Sequence, residues 1–89
     1  TLAAMKREAA TAERKVENIQ RELERTTGDQ ARIRDNLGSV PGESALGQRY
    51  MRMLEEQENR IAGLSDRRSD AEAELQRLEK DMRDFIAKL

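Results

Sequence analysis

The sequence predicts an all-α protein, an antiparallel two-helix coiled-coil hairpin, and three observations carry that prediction. Apolar residues recur at alternating three- and four-residue spacing through two long stretches. A short segment rich in Gly and containing the single Pro separates them. Charged residues make up 39% of the chain and aromatics 2%, which is too little bulk for a globular core and the composition of long solvated helices.

The first seam runs Leu2, Met5, Ala9, Ala12, Val16, Ile19, Leu23, Thr26, Gln30, Ile33, Leu37 without a skip. These alternate between the a and d positions of a left-handed coiled coil, starting with Leu2 at a. The first helix is therefore expected over residues 1–37. Gly38 then supplies a helix-ending residue suited to positive φ. Pro41-Gly42 is a turn dipeptide, with Pro restricting φ and Gly free to turn left-handed. The turn spans 38–44, and Ser44 is placed to cap the next helix.

The second seam runs Tyr50, Leu54, Gln57, Ile61, Leu64, Arg68, Ala71, Leu75, Leu78, Met82, Phe85, Leu89, and places the second helix over 45–89. A connection of about seven residues makes the helices antiparallel neighbours. In such a pair each a residue faces a d residue. Pairing Leu37 with Tyr50 makes the residue numbers sum to 87, and every further layer keeps that sum: Ile33–Leu54, Gln30–Gln57 and so on to Leu2–Phe85. The turn centre implied by that sum is Glu43–Ser44, inside the loop located independently from Gly and Pro.

Charge placement favours the same arrangement. The expected flanking pairs Asp29–Arg60, Glu22–Arg67, Lys15–Glu74 and Lys6–Glu79 are complementary, against repulsive Glu8–Asp81 and Glu13–Glu72. Parallel homodimers of either helix offer one attraction for each repulsion. Exposed pairs contribute about 0.3–0.5 kcal/mol each, so they select register more than they stabilise.

Thr26, Gln30 and Gln57 form an expected polar layer. It either sets register, as a buried amide pair with few alternative partners, or is a hydrated stretch of coiled coil. Arg68, facing Ile19, is expected to lay its stem on the seam and raise its guanidinium to water or Glu22. The seam is thin at Ala9, Ala12 and Ala71. Since ordering a residue costs about 1.5 kcal/mol, an isolated hairpin is marginal and reinforcement is expected. Self-association into a four-helix bundle, or a dimer swapped across the loop, would preserve every layer.

Little in the chain points to chemistry. It has no His and no Cys, so most catalytic triads, thiolate nucleophiles and zinc sites are not expected. No carboxylate pair lies in an apolar setting suited to proton transfer, and the loop lacks a phosphate cradle. No catalytic, cofactor-binding or metal-binding residue is assigned, and no enzyme activity or small-molecule substrate is expected. The formal charge of -1, from 17 basic and 18 acidic residues, argues against a nucleic-acid partner. No apolar run is long enough to insert in a membrane. The seam reaches both ends of the sequence, which suggests a segment of a longer protein, and the absence of Cys leaves the compartment open.

The loop end carries more than heptad chemistry. Arg32, Arg34, Arg49 and Arg52 cluster around the turn, and Val40, Leu46, Met51 and Met53 add apolar groups outside the seam. One reading is a partner-docking tip, because Arg beside flexible apolar side chains suits protein interfaces. The other is structural: Arg32 and Arg34 answer the first helix dipole, and Val40 and Leu46 plug the hairpin end.

Asp29-Gln30-Ala31-Arg32-Ile33-Arg34-Asp35-Asn36-Leu37, then Pro41, Arg49-Tyr50 and Leu54-Glu55-Glu56-Gln57-Glu58-Asn59-Arg60-Ile61 resemble the C-terminal helical hairpin of bacterial mucoidy-inhibitor-like proteins of unknown function. The resemblance covers roughly residues 29–64. It implies a bacterial source, a cell-envelope setting for some relatives, and an accessory helical module following a β-rich portion. It assigns no catalytic residues. Location thus stays between envelope and cytoplasm. The expected role is a non-catalytic spacer and association module, whose arms of about 36 residues would reach roughly 54 Å. The alternative is a recognition arm whose tip, around Arg32, Arg34, Arg49 and Arg52, docks a protein or nucleic-acid partner.

Overall fold

The computed structural model describes residues 1–89 and is an all-α helical hairpin. α1 spans Leu2–Leu37 and α2 spans Ala45–Ala87, with no strand. From Leu2 to Met82, every a and d position named above is buried or half-buried. The period of the sequence is therefore the period of packing, as expected when one stripe of each helix leaves water.

The chain divides into two compact units, each pairing a segment of α1 with a segment of α2. A loop unit comprises Arg21–Ser65, and a terminal unit comprises Thr1–Gln20 with Asp66–Leu89. The bounds of the units pair Arg21 with Ser65 and Gln20 with Asp66, within one residue of the expected sum of 87. In the loop unit the buried residues include Leu23, Ile33 and Leu64, together with Thr26 and Gln30. In the terminal unit they are Ala9, Ala12, Ile19 and Ala71.

The helix ends follow from local hydrogen bonding. Thr1 Oγ1 accepts the Ala4 N–H at 3.1 Å, capping α1. At the other end the Gly38 N–H reaches the Arg34 carbonyl at 3.1 Å, and the Ser39 and Val40 amides make i→i+3 bonds to Asn36 and Leu37. This tightening satisfies terminal carbonyls without a left-handed residue. No glycine has positive φ, so the expected left-handed roles of Gly38 and Gly42 do not arise. Ser44 caps α2 as expected: its Oγ accepts the Gly47 N–H at 2.9 Å and donates to the Pro41 carbonyl at 2.6 Å.

α2 stops two residues before its expected end. Lys88 and Leu89 instead donate to the Phe85 and Ile86 carbonyls in i→i+3 bonds. No residue of 1–89 faces Leu89 in this register, and it is 86% exposed. Without burial, the last turn has only its own weak hydrogen bonds to hold it.

Candidate functional site

The loop end is the region where both readings of the sequence converge on named residues. Its backbone is organised around Pro41, whose carbonyl accepts the Ser44 N–H at 3.1 Å as well as the Ser44 hydroxyl. Gly47 is buried against that same carbonyl. A Cβ at Gly47 would collide with the Pro41 oxygen and lie 3.1 Å from both the Gly42 carbonyl and Ser44 Oγ. Gly47 falls one heptad before Leu54, so it occupies an a position, and the sum of 87 makes Val40 its opposite. Val40 is half-buried there, whereas Leu46 is exposed and plugs nothing.

The four arginines separate into two kinds. Arg32 and Arg34 are engaged: Arg32 contacts Asp29 one turn back at 3.3 Å, and Arg34 reaches Glu58 across the hairpin at 3.4 Å. Arg34 also lies in the last turn of α1, where a cation complements the helix dipole. Arg49 and Arg52 carry no ion pair. Beside them Leu46, Met51 and Met53 are 41%, 56% and 38% exposed. The free surface of this end is therefore contributed by α2, while the α1 arginines serve the hairpin itself.

The polar layer differs from its expected form. Gln30 Nε2 donates to the Glu58 carboxylate rather than to Gln57. Gln57 Oε1 is left buried with no partner, and Thr26 Oγ1 donates to its own helix at the Glu22 carbonyl, 2.9 Å away. A carboxylate is the stronger acceptor, so a charged flank residue outcompetes the opposing amide. Glu58 thus receives both Gln30 and Arg34 from α1. That cross-helix convergence ties register to a charged residue outside the seam.

Other expected pairs are rearranged for the same reason of reach. Glu22 pairs with Arg60, which had been matched to Asp29. Asp29 is taken by Arg32 on its own helix. Arg68, half-buried, donates to Gln20 Oε1 at 2.8 Å and lies 3.7 Å from Glu72 rather than pairing with Glu22. Arg32–Asp29 and Arg68–Glu72 are i,i+3 and i,i+4 neighbours on one helix, whereas Arg60 and Arg68 also reach across to Glu22 and Gln20 of α1.

In the terminal unit Arg77 bridges Glu74 at 2.6 Å and Asp81 at 3.0 Å, while Lys80 meets Asp84 at 2.8 Å. The hydrogen bond from Arg77 holds the Glu74 carboxyl below its ordinary range, and that from Lys80 does the same for Asp84. Arg77 and Lys80 are correspondingly raised by hydrogen bonds to Glu74 and Asp84. Arg77 also answers the expected repulsion between Glu8 and Asp81, since both acids favour its charged form. These shifts hold each group in the charge state it already has near neutrality.

No group of three or more His, Cys, Asp or Glu side chains is placed to hold a metal ion. No helix is long and apolar enough to cross a membrane. No protein-family model, curated protein or solved structure matches the chain. Three features have no counterpart among the sequence-based expectations: the Gly47 contact, the convergence on Glu58 and the Arg77 bridge. Only Gly47 had a legible signal, since the heptad count places a glycine at a seam position.

Proposed function

We propose that this chain is a non-catalytic coiled-coil spacer and protein-association module of a larger bacterial protein. The observation that carries the proposal is the division of labour among side chains. The seam absorbs the periodic apolar residues, ion pairs occupy much of the flank, and uncovered large apolar groups collect at the start of α2 and in the last residues of the chain. Exposed apolar side chains grouped beside unpaired arginines are the composition of an association surface. The resemblance over residues 29–64 supplies the bacterial setting and an accessory role.

Thermal unfolding followed across protein concentration tests association. A module that gains stability from a second chain melts at higher temperature as concentration rises. A melting temperature independent of concentration refutes self-association. Cysteines at Ile33 and Leu54 separate two forms of it. Cross-linking within one chain supports paired hairpins, and exclusive cross-linking between chains supports the swapped dimer.

The unpaired Arg49 and Arg52 favour a second reading, a recognition arm that docks another protein through its loop end. Charge reversal at both would then abolish capture of that protein without lowering the melting temperature.

A further inference from the structure

The terminal unit has a groove of about 280 Å³ with a floor of Ala9, Leu75 and Met82 and a rim of Glu13 and Glu79. Neither glutamate carries an ion pair, and the expected Lys6–Glu79 bridge is not formed. The groove therefore offers an apolar floor under uncompensated negative charge.

The loop unit displays the complementary surface. Leu46, Arg49 and Met53 follow i, i+3, i+7 spacing and so share one face of α2, with Arg52 one turn beyond Arg49. Leu46 and Met53 are exposed, and Arg49 and Arg52 have no acid within pairing distance, although Glu55 and Glu56 follow on the same helix. This ridge is apolar and positive where the groove is apolar and negative.

We infer that the groove receives the first turns of α2 from a second copy of this chain, with Arg49 and Arg52 of one copy meeting Glu13 and Glu79 of the other. The inference rests on the association role proposed above and names its surfaces and partner. Reciprocal docking of two copies makes a closed dimer, whereas one-way docking would make an open chain, and sedimentation separates the two. Opposite charges steer the encounter and fix its direction, while Leu46 and Met53 supply apolar area.

Sedimentation equilibrium of the chain, the Arg49→Glu/Arg52→Glu variant, the Glu13→Arg/Glu79→Arg variant and the quadruple variant tests this. The expected result is a dimer for the wild type that weakens with added salt. Each double reversal should weaken it about tenfold or more, because attraction becomes repulsion at two pairs. The quadruple variant, with both charges exchanged, should recover the dimer. Circular dichroism confirms that each variant remains helical. A dimer unaffected by either double reversal overturns this interface and leaves the association role standing. A wild type that stays monomeric, with a concentration-independent melting temperature, overturns self-association altogether and this interface with it.

Discussion

The loop unit and the terminal unit obey one heptad pattern and fill it differently. In the loop unit, Leu23, Ile33 and Leu64 are buried around a polar layer of Thr26 and Gln30. In the terminal unit, three of the four buried residues are alanines and Ile19 is the one large side chain among them. Their ion pairs differ too, although the terminal unit has one cross-helix hydrogen bond, Arg68 to Gln20, and the loop unit one intrahelical pair, Arg32–Asp29. Arg60–Glu22 and Arg34–Glu58 join the two helices within the loop unit. Arg77–Glu74, Arg77–Asp81 and Lys80–Asp84 lie within α2 of the terminal unit. Bulk and cross-helix polar contacts specify how two helices pair, whereas small seam residues and intrahelical bridges mainly support the helix that carries them.

The largest effect expected from this contrast is in the seam. Ile33→Ala should cost about 2–5 kcal/mol, because a nearly fully buried side chain leaves a cavity. Val16→Ala, at a half-buried position of the terminal unit, should cost about 1 kcal/mol. Equal losses in urea unfolding would erase the contrast.

Next comes the loop end. Gly47→Val should destabilise by about 1–3 kcal/mol, since its side chain meets the Pro41 carbonyl. Gly63→Ala sharpens the test. Nothing lies within 4 Å of a Cβ there, so it should stabilise by about 1 kcal/mol through helix propensity. If both substitutions moved thermal stability in the same direction, the close approach at Gly47 would be wrong.

Replacing Gln30 and Gln57 together by Leu should stabilise the loop unit by about 1 kcal/mol or more, because it removes the unpartnered Gln57 oxygen. The same variant should loosen register, seen as off-register products from cysteines placed along the seam. Greater stability with unchanged cross-link specificity would assign register to the apolar layers alone.

The smallest expected effect is electrostatic and confined to the terminal unit. Glu74 and Asp84 are depressed when folded, so their contribution is present above the unfolded carboxylate values. It is lost as pH falls through the lower folded values. Acid titration by NMR should show the two carboxyls protonating below their unfolded counterparts, and 1 M salt should shrink the difference. Lys80→Gln should return Asp84 toward its ordinary value while leaving Glu74 with Arg77.

Much of this was legible in the residues. Leu2 through Met82 announce their burial by spacing alone, since a helix has one period and a coiled coil one seam. Ser44 announced its cap, because a hydroxyl before a periodic stretch has an orphan amide to serve. The candidate loop end was legible as a cluster but not in its parts. Nothing in the order of residues distinguishes the engaged Arg34 from the free Arg49. That depends on which acid each long side chain reaches.

Local periodicity and turn chemistry, both readable from residue order, set the class, the helix starts, the loop and the antiparallel pairing of the two helices. The tertiary structure decided that Gly47 yields its side-chain space to the Pro41 carbonyl and that Glu58, not Gln57, receives Gln30. It also decided that Arg60 rather than Arg67 answers Glu22. Those choices are competitions among acceptors within reach of flexible side chains, and distance in space settles them where spacing in sequence leaves several candidates equal.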